Sequence, residues 1–257
     1  MKNLKDRNNK QGDPERNKSR KRKDFLLGKE GRDHSLGFVH IPKTGGTGVF
    51  QFGKAIVAKG HKFPLNFSHG WSVPRILDIF PDLKVSCIIR DPLERTISGF
   101  NSRLRMGRPQ NSNSWKPDEA VSFSFFSTAD QLLQALDGKD DRLFSAADYA
   151  LNSITHLKHN YKFYFESVKF IEGNLDRIAM VREISQTREF LVDVCNYSAG
   201  RSDLVDEYYE VKHISPQSTG QFIRGLLPES AEIARQYLSE EYEIYNRLKL
   251  IADSQKS

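Results

Sequence analysis

The sequence predicts an α/β fold with a central parallel sheet flanked by helices, and two observations support this. Continuous apolar runs at residues 36–41 and 84–90 are typical of strands that are buried on both faces of a sheet. Each run ends at a proline-containing break and is followed by helical spacing of apolar residues, at 47–59 and 94–105. Strands that alternate with helices in this way favour parallel pairing with helical crossovers.

The other predicted elements continue the alternation. Two further short apolar runs predict strands at 63–67 and 176–181. Helical spacing predicts helices at 73–79, 187–195, 228–238 and 240–251, with several more across 127–165, whereas 107–118 reads as a polar surface loop.

Length and charge divide the chain into one domain and a tail. With 257 residues and 38% hydrophobic content, residues 35–257 can bury one core. The net charge of +6 is carried by the first 24 residues, and segment 1–34 has few apolar groups. We expect this basic N-terminal tail to be disordered. The folded part has no basic stripe with stacking aromatics, so no specific nucleic-acid partner is expected. The tail is expected to make weak electrostatic contact with a membrane surface at most.

The absence of a recognisable targeting signal and the presence of only two cysteines predict a cytoplasmic protein. No apolar run is long enough to cross a membrane, and the first residues lack the apolar stretch of a secretory signal. Cys87 and Cys195 are the only cysteines, and each lies in an apolar segment, which predicts two buried free thiols. The sequence does not predict an oligomeric state.

A glycine-containing turn after the first strand has the composition of a phosphate-binding loop. It runs from Pro42 to Thr47, with Gly45 and Gly46 allowing close approach of the backbone to an anion and Lys43 adding a mobile charge. In the usual ATP- or GTP-binding loop the lysine follows the second glycine. Here the lysine precedes both glycines, which disfavours that kind of site.

A second anion-binding element follows the strand at 84–90. Arg90 ends this strand, and Ser98 lies on the helix after the Asp91-Pro92 break. Because parallel strands end at the same edge of a sheet, we expect Arg90, Ser98 and the glycine loop to share a crevice. A guanidinium suits bidentate recognition of phosphate.

The segments His40–Thr47 and Ile89–Ser98 resemble motifs of the sulfotransferases that use 3′-phosphoadenosine-5′-phosphosulfate (PAPS). The similarity is greatest to the carbohydrate-modifying branch, which includes the heparan-sulfate 2-O-sulfotransferases. The resemblance implies a P-loop-like fold, PAPS as co-substrate, no metal, and a carbohydrate or other hydroxyl-bearing acceptor. It also implies that Lys43 neutralises the leaving oxygen, that Arg90 and Ser98 bind the 3′-phosphate, and that the 5′-phosphosulfate is held by Lys43, Thr44, Gly45, Gly46 and Thr47. Gly48 departs from the serine that often follows this loop.

His69 is the candidate catalytic base, because the acceptor hydroxyl must lose its proton as it attacks sulfur. The segment Phe67–Gly70 is similar to a His-Gly-His element of the 2-O-sulfotransferases, but Trp71 replaces the second histidine. His156, His159 and His213 are therefore alternative bases. Ser215, in a late loop, is a further candidate for donor contact.

Two other functions stay open on the sequence alone. One is a nucleotide-dependent kinase or NTPase on a related fold, and the other is a non-catalytic protein that binds the nucleotide. The histidines and cysteines lack the spacing of a zinc site, so no metal is expected.

Overall fold

The computed structural model describes residues 31–109, 112–209 and 226–255. Four strands form one parallel sheet with the order β2-β1-β3-β4. They are β1 (Arg32–Val39), β2 (Phe63–Phe67), β3 (Lys84–Ile89) and β4 (Ile178–Glu183). The predicted α/β fold with a parallel central sheet flanked by helices is confirmed.

The helices of the described residues are, in chain order, α1 (Gly46–Ala58), α2 (Val73–Ile79), α3 (Pro92–Leu104), α4 (Pro117–Phe125), α5 (Ala129–Gln134), α6 (Asp141–Ser153), α7 (Tyr161–Phe165), α8 (Val168–Glu172), α9 (Thr187–Ala199), α10 (Leu204–Tyr208), α11 (Pro228–Tyr237) and α12 (Ser239–Ser254). Short 3₁₀ turns lie at Ala135–Asp137, Leu175–Arg177 and Ile184–Gln186. The turn at Leu175–Arg177 occupies the start of the strand predicted at 176–181, which explains why β4 begins only at Ile178.

Strand β1 starts earlier than the apolar pattern indicates. It begins at Arg32, inside the segment 1–34 that the sequence assigned to the tail, and its first residues pair with Phe63 and Pro64 of β2. The side chain of Asp33 accepts hydrogen bonds from the backbone N–H and the hydroxyl of Ser35. Backbone pairing therefore extends β1 into a polar stretch. Residues 1–30 of the predicted tail lie outside the described residues.

Helices cover both faces of the sheet. One face packs against α1, α9 and α10, and the other packs against α2, α7, α8 and α12. A separate apolar cluster joins α3 to the helical layer formed by α4, α5, α6 and α11. Both faces of the inner strands are thus buried, which accounts for their continuous apolar sequences.

Helix α1 is fixed at the end of β1 by its apolar side. Val49, Phe52 and Ile56 are buried at helical spacing, and they pack against the sheet. Phe50, by contrast, is only half-buried and lies under the Lys54 ammonium. The packing holds the first turn of α1 beside the carboxyl end of β1.

The strand order reverses between β1 and β3. Strand β2, which follows β1 in the sequence, pairs with one edge of β1, and β3 pairs with the opposite edge. Ligands of open parallel sheets bind where the strand order reverses in this way. The loop 40–45 and Arg90 both emerge at this point.

Two other expectations concern the whole chain. No helix in the described ranges is both long and apolar enough to cross a membrane. Cys87 and Cys195 are buried free thiols, as predicted, and burial raises the pKa of each to about 12. Both are therefore poor nucleophiles at neutral pH.

Candidate functional site

The loop between β1 and α1 has a constrained backbone. Lys43 has a φ of 67°, a left-handed conformation that is uncommon for residues other than glycine. The buried Thr44 hydroxyl donates a hydrogen bond to the carbonyl of Ile41 at 2.9 Å. The side chain of Thr44 thus braces the loop. The group that Thr44 can offer to an anion is its backbone N–H.

The first turn of α1 faces open space on one side. Its N-cap, Gly45, has a φ of 86°, and the first turn contains neither a side-chain cap nor an acidic residue. Thr47 is exposed, and a Cβ added to Gly48 would meet nothing within 4 Å. Gly46 is different, because an added Cβ would lie 2.0 Å from Cδ2 of His40. The positive end of the helix dipole is therefore accessible, and Gly46 is what allows His40 to pack against it.

Arg90 joins the end of β3 to the loop. Its Nη1 donates to the carbonyl of Lys43 at 3.1 Å, and its Nε donates to Glu94 at 3.2 Å. The Tyr161 hydroxyl accepts from the Arg90 backbone N–H at 2.8 Å and donates to the Arg90 carbonyl at 2.7 Å. Arg90 is 6% exposed. The structure thus brings the arginine and the loop together, as the strand order requires.

Ser98 lies farther along α3. This helix begins at Pro92, with Asp91 as its N-cap, and Ser98 is half-buried. Among the described residues, no hydrogen bond connects the Ser98 hydroxyl to the loop after β1. Arg90 therefore contacts the loop directly, as predicted. Ser98 lies on the helix that follows Arg90, but its hydroxyl forms no hydrogen bond with the loop among the described residues.

Lys43 is a half-buried cation in a positive environment. Burial lowers the pKa of its ammonium to about 8, and the nearby charges of Arg105 and Arg90 lower it further in the same direction. Within the described ranges Lys43 forms no ion pair with a carboxylate. An anion bound at this point would supply the missing counter-charge.

Three imidazoles converge beside Lys43. His40 follows β1, His69 follows β2, and His156 precedes α7. The ring centroids of His40 and His69 are 4.4 Å apart, and those of His69 and His156 are 5.9 Å apart with perpendicular planes. His159 stacks on Phe163 at 4.2 Å at the margin of this group.

Burial keeps these imidazoles neutral. It is the first cause that lowers the pKa of His40 to about 3, of His69 to about 4 and of His156 to about 3. The charge of Lys43 lowers all three pKa values as well. A general base must be deprotonated before it acts, and His69 meets this requirement at neutral pH.

Buried Arg95 holds the segment that carries His156. Its Nη1 donates to the carbonyls of His156 at 3.3 Å and His159 at 3.4 Å, and its Nη2 pairs with Glu241 at 2.9 Å. Glu241 also accepts from the backbone N–H of Tyr161 at 3.3 Å. The ion pair therefore joins α3 and α12 to the turn before α7.

Several of these residues were missed by the sequence analysis. His40 and Arg95 lie within the two motifs, but the sequence analysis assigned neither of them a role in the site. Tyr164, whose hydroxyl donates to the carbonyl of His69 at 2.9 Å, carried no sequence signal. His213 and Ser215 lie outside the described residues.

The described ranges contain no group of three or more His, Cys, Asp and Glu side chains arranged to hold a metal ion.

Comparisons of the chain with protein-family models, with curated proteins and with solved structures find no match. The function is therefore inferred from the residues and their geometry.

Proposed function

We propose that the chain is a sulfotransferase with a P-loop-like fold that uses PAPS as co-substrate and sulfonates an acceptor hydroxyl on a carbohydrate. The observation that carries this proposal is the hydrogen bond from Arg90 to the carbonyl of Lys43. It joins two elements of anion-binding chemistry that are far apart in the sequence. PAPS has phosphate groups at both the 3′ and the 5′ positions of its ribose, and so it requires two such elements side by side.

The 5′ end of the donor is assigned to the loop and the start of α1. Backbone N–H groups from Thr44 to Thr47, together with the helix dipole, attract the anion. The absence of an acidic residue in the first turn supports this assignment. Open space next to Gly48 leaves room for a ligand beside the helix.

The 3′-phosphate is assigned to Arg90, with Ser98 as a further contact. Arg90 is held by Glu94 and by the loop, which sets its orientation before a ligand arrives. An oriented guanidinium loses little side-chain entropy on binding phosphate.

Lys43 and His69 are assigned to the chemical step. Lys43 is protonated below about pH 8 and would neutralise the oxygen that leaves sulfur. His69 is neutral and would take the proton of the acceptor hydroxyl. PAPS supplies the activated sulfonate, and the residues supply orientation, charge and a proton acceptor.

Binding is tested by titration calorimetry with adenosine 3′,5′-bisphosphate. Arg90→Ala should weaken binding roughly 10- to 100-fold, because a charge-assisted hydrogen bond contributes about 1.5–3 kcal/mol. The control is Arg142→Ala, which removes the same charge from an exposed position on α6. An unchanged dissociation constant for Arg90→Ala would remove Arg90 from the site.

Transfer is tested with labelled PAPS on a panel of heparosan, chondroitin, hyaluronan and dextran. Lys43→Ala should reduce turnover by roughly 100-fold, as expected when a group that stabilises developing charge is lost. Turnover within tenfold of the wild type would refute its role. Tight bisphosphate binding without transfer to any acceptor would indicate a binding protein. Thermal stabilisation by ATP–Mg²⁺, but not by the bisphosphate, would indicate a kinase or NTPase.

A further inference from the structure

The group of imidazoles is more extensive than one catalytic base requires. His69 lies between two other histidine rings, at centroid distances of 4.4 Å from His40 and 5.9 Å from His156. The three residues come from three separate segments, after β1, after β2 and before α7. Their convergence is therefore produced by tertiary packing.

Close packing fixes the positions of the two outer histidines. The ring of His40 lies so near to Gly46 that any side chain there would overlap it. The backbone of His156 is held by Arg95 on one side and by the close approach of Gly99 on the other. A Cβ on Gly99 would lie 3.3 Å from Cβ of His156. Neither histidine can move far without disturbing the core.

Among the described residues, three histidine ring nitrogens are buried without a hydrogen-bond partner: Nε2 of His69, Nδ1 of His156 and Nδ1 of His159. The ring of His156 lies beside that of His69, whereas the ring of His159 stacks on Phe163. Leaving a buried polar atom unpaired costs about 1–3 kcal/mol, so such atoms need an explanation. A hydrogen bond between two ring nitrogens is about 3 Å long. Such a bond between His69 and His156 would require their ring centroids to be only slightly closer than the 5.9 Å observed.

The charges around His156 disfavour protonation of its ring. Lys43, Arg103 and the neighbouring His69 oppose protonation of His156, whereas Glu119 favours it. Arg95 lies against its backbone. A lone imidazole in this environment binds a proton weakly. A second neutral imidazole that accepts a hydrogen bond from the first would stabilise the protonated ring.

We propose that His156 is a positioning residue that shares with His69 the proton removed from the acceptor. This inference rests on the proposed sulfotransferase function. The acceptor oxygen forms a bond to sulfur while the bond from sulfur to the bisphosphate oxygen breaks, and the bisphosphate keeps that electron pair. The hydroxyl proton passes to the ring nitrogen of His69 that does not face His156. Nδ1 of His156 then accepts a hydrogen bond from the Nε2–H of the resulting imidazolium until the proton is released to water.

The pairing is tested at pH 7.5 by ¹⁵N NMR of the histidine rings in the full chain, with adenosine 3′,5′-bisphosphate bound. We expect one proton between His69 and His156, seen as a scalar coupling across the N–H···N bond. His156→Leu should shift the His69 ring nitrogens, and His156→Asn, which keeps an acceptor near the position of Nδ1, should shift them less. Absence of the coupling in the wild type would overturn the proposal, even if both variants fail to fold.

Kinetics separate this proposal from the proposed function. On the best acceptor of the glycan panel, His156→Leu should lower kcat at least tenfold with little change in KM for PAPS, and His156→Asn should recover part of the loss. A His156→Leu enzyme with wild-type kcat and pH profile would refute proton sharing while the sulfotransferase function stands. Coupled histidines in a chain that transfers no sulfonate would support the pair and refute the function.

Discussion

The three half-buried imidazoles should make the stability of the fold fall as the solution becomes mildly acidic. In the folded chain the pKa values of His40, His69 and His156 are about 3 to 4, against 6.5 for an unperturbed histidine. Between pH 7.5 and 5 the unfolded chain therefore binds protons at these positions and the folded chain does not. The unfolded state is favoured as pH decreases, and the free energy of unfolding falls.

The magnitude follows from the pKa difference. Each pH unit below the unfolded pKa is equivalent to about 1.4 kcal/mol for one group. At pH 5 the loss is therefore about 2 kcal/mol for each imidazole, or about 6 kcal/mol for three that act independently. This is comparable with the total stability of many domains, about 5–15 kcal/mol. Glu119 contributes little above pH 5, because it is ionised in the unfolded chain as well as in the fold. Burial raises its pKa in the fold, but the hydrogen bonds from Arg103, Lys116 and Thr155 lower it to about 2.

Urea unfolding followed by tryptophan fluorescence at pH 7.5, 6.5, 5.5 and 5.0 measures this dependence. The core residue Trp71, which packs against Phe67, reports on the region beneath the site. His156→Asn should reduce the loss between pH 7.5 and 5 by about 2 kcal/mol, since one linked proton is removed. A wild-type protein of constant stability across this range, or a variant with the same loss as the wild type, would refute the reasoning.

Two further predictions concern the reaction and the loop. The value of kcat/KM for PAPS should stay level from pH 8 down to pH 5.5, because His69 remains neutral, and should fall above about pH 8 as Lys43 loses its proton; a decline centred near pH 6.5 would contradict the neutral state of His69. Gly46→Ala should destabilise the fold by about 1–3 kcal/mol through overlap with His40, whereas Gly48→Ala, with open space around it, should be neutral or stabilising by up to about 1 kcal/mol in urea unfolding. Equal effects of the two substitutions would refute the packing argument.

The sequence predicted those elements in which local pattern and tertiary burial agree. Strand β3 and helix α3 were predicted to within two residues, because an apolar run buried on both faces is followed by Asp91 and Pro92, which end the strand and start the helix. The beginning of β1 was missed for the opposite reason. Arg32 and Asp33 pair through their backbone, and side-chain pattern carries no information on that pairing.

The candidate site shows the same division. The approach of Arg90 to the loop was predictable, since it follows from the strand order alone. The approach of His156 to His69 was not, because it depends on how the turn before α7 packs over the sheet. Helical periodicity predicts which side of a helix is buried, but it does not predict which residues, distant in the sequence, pack against that side.

The Arg95–Glu241 pair shows how the fold keeps this turn in place. Replacing a buried ion pair by apolar residues is often neutral or stabilising, so stability alone is a weak explanation for its presence. This pair does more than neutralise charge, because Arg95 also donates to two carbonyls of the turn and Glu241 accepts from the backbone N–H of Tyr161. Tyr161 in turn binds both backbone groups of Arg90. One buried pair therefore sets the position of the imidazole side of the site and of the arginine that contacts the loop. Apolar replacements could fill the same volume, but they would leave these backbone groups without partners.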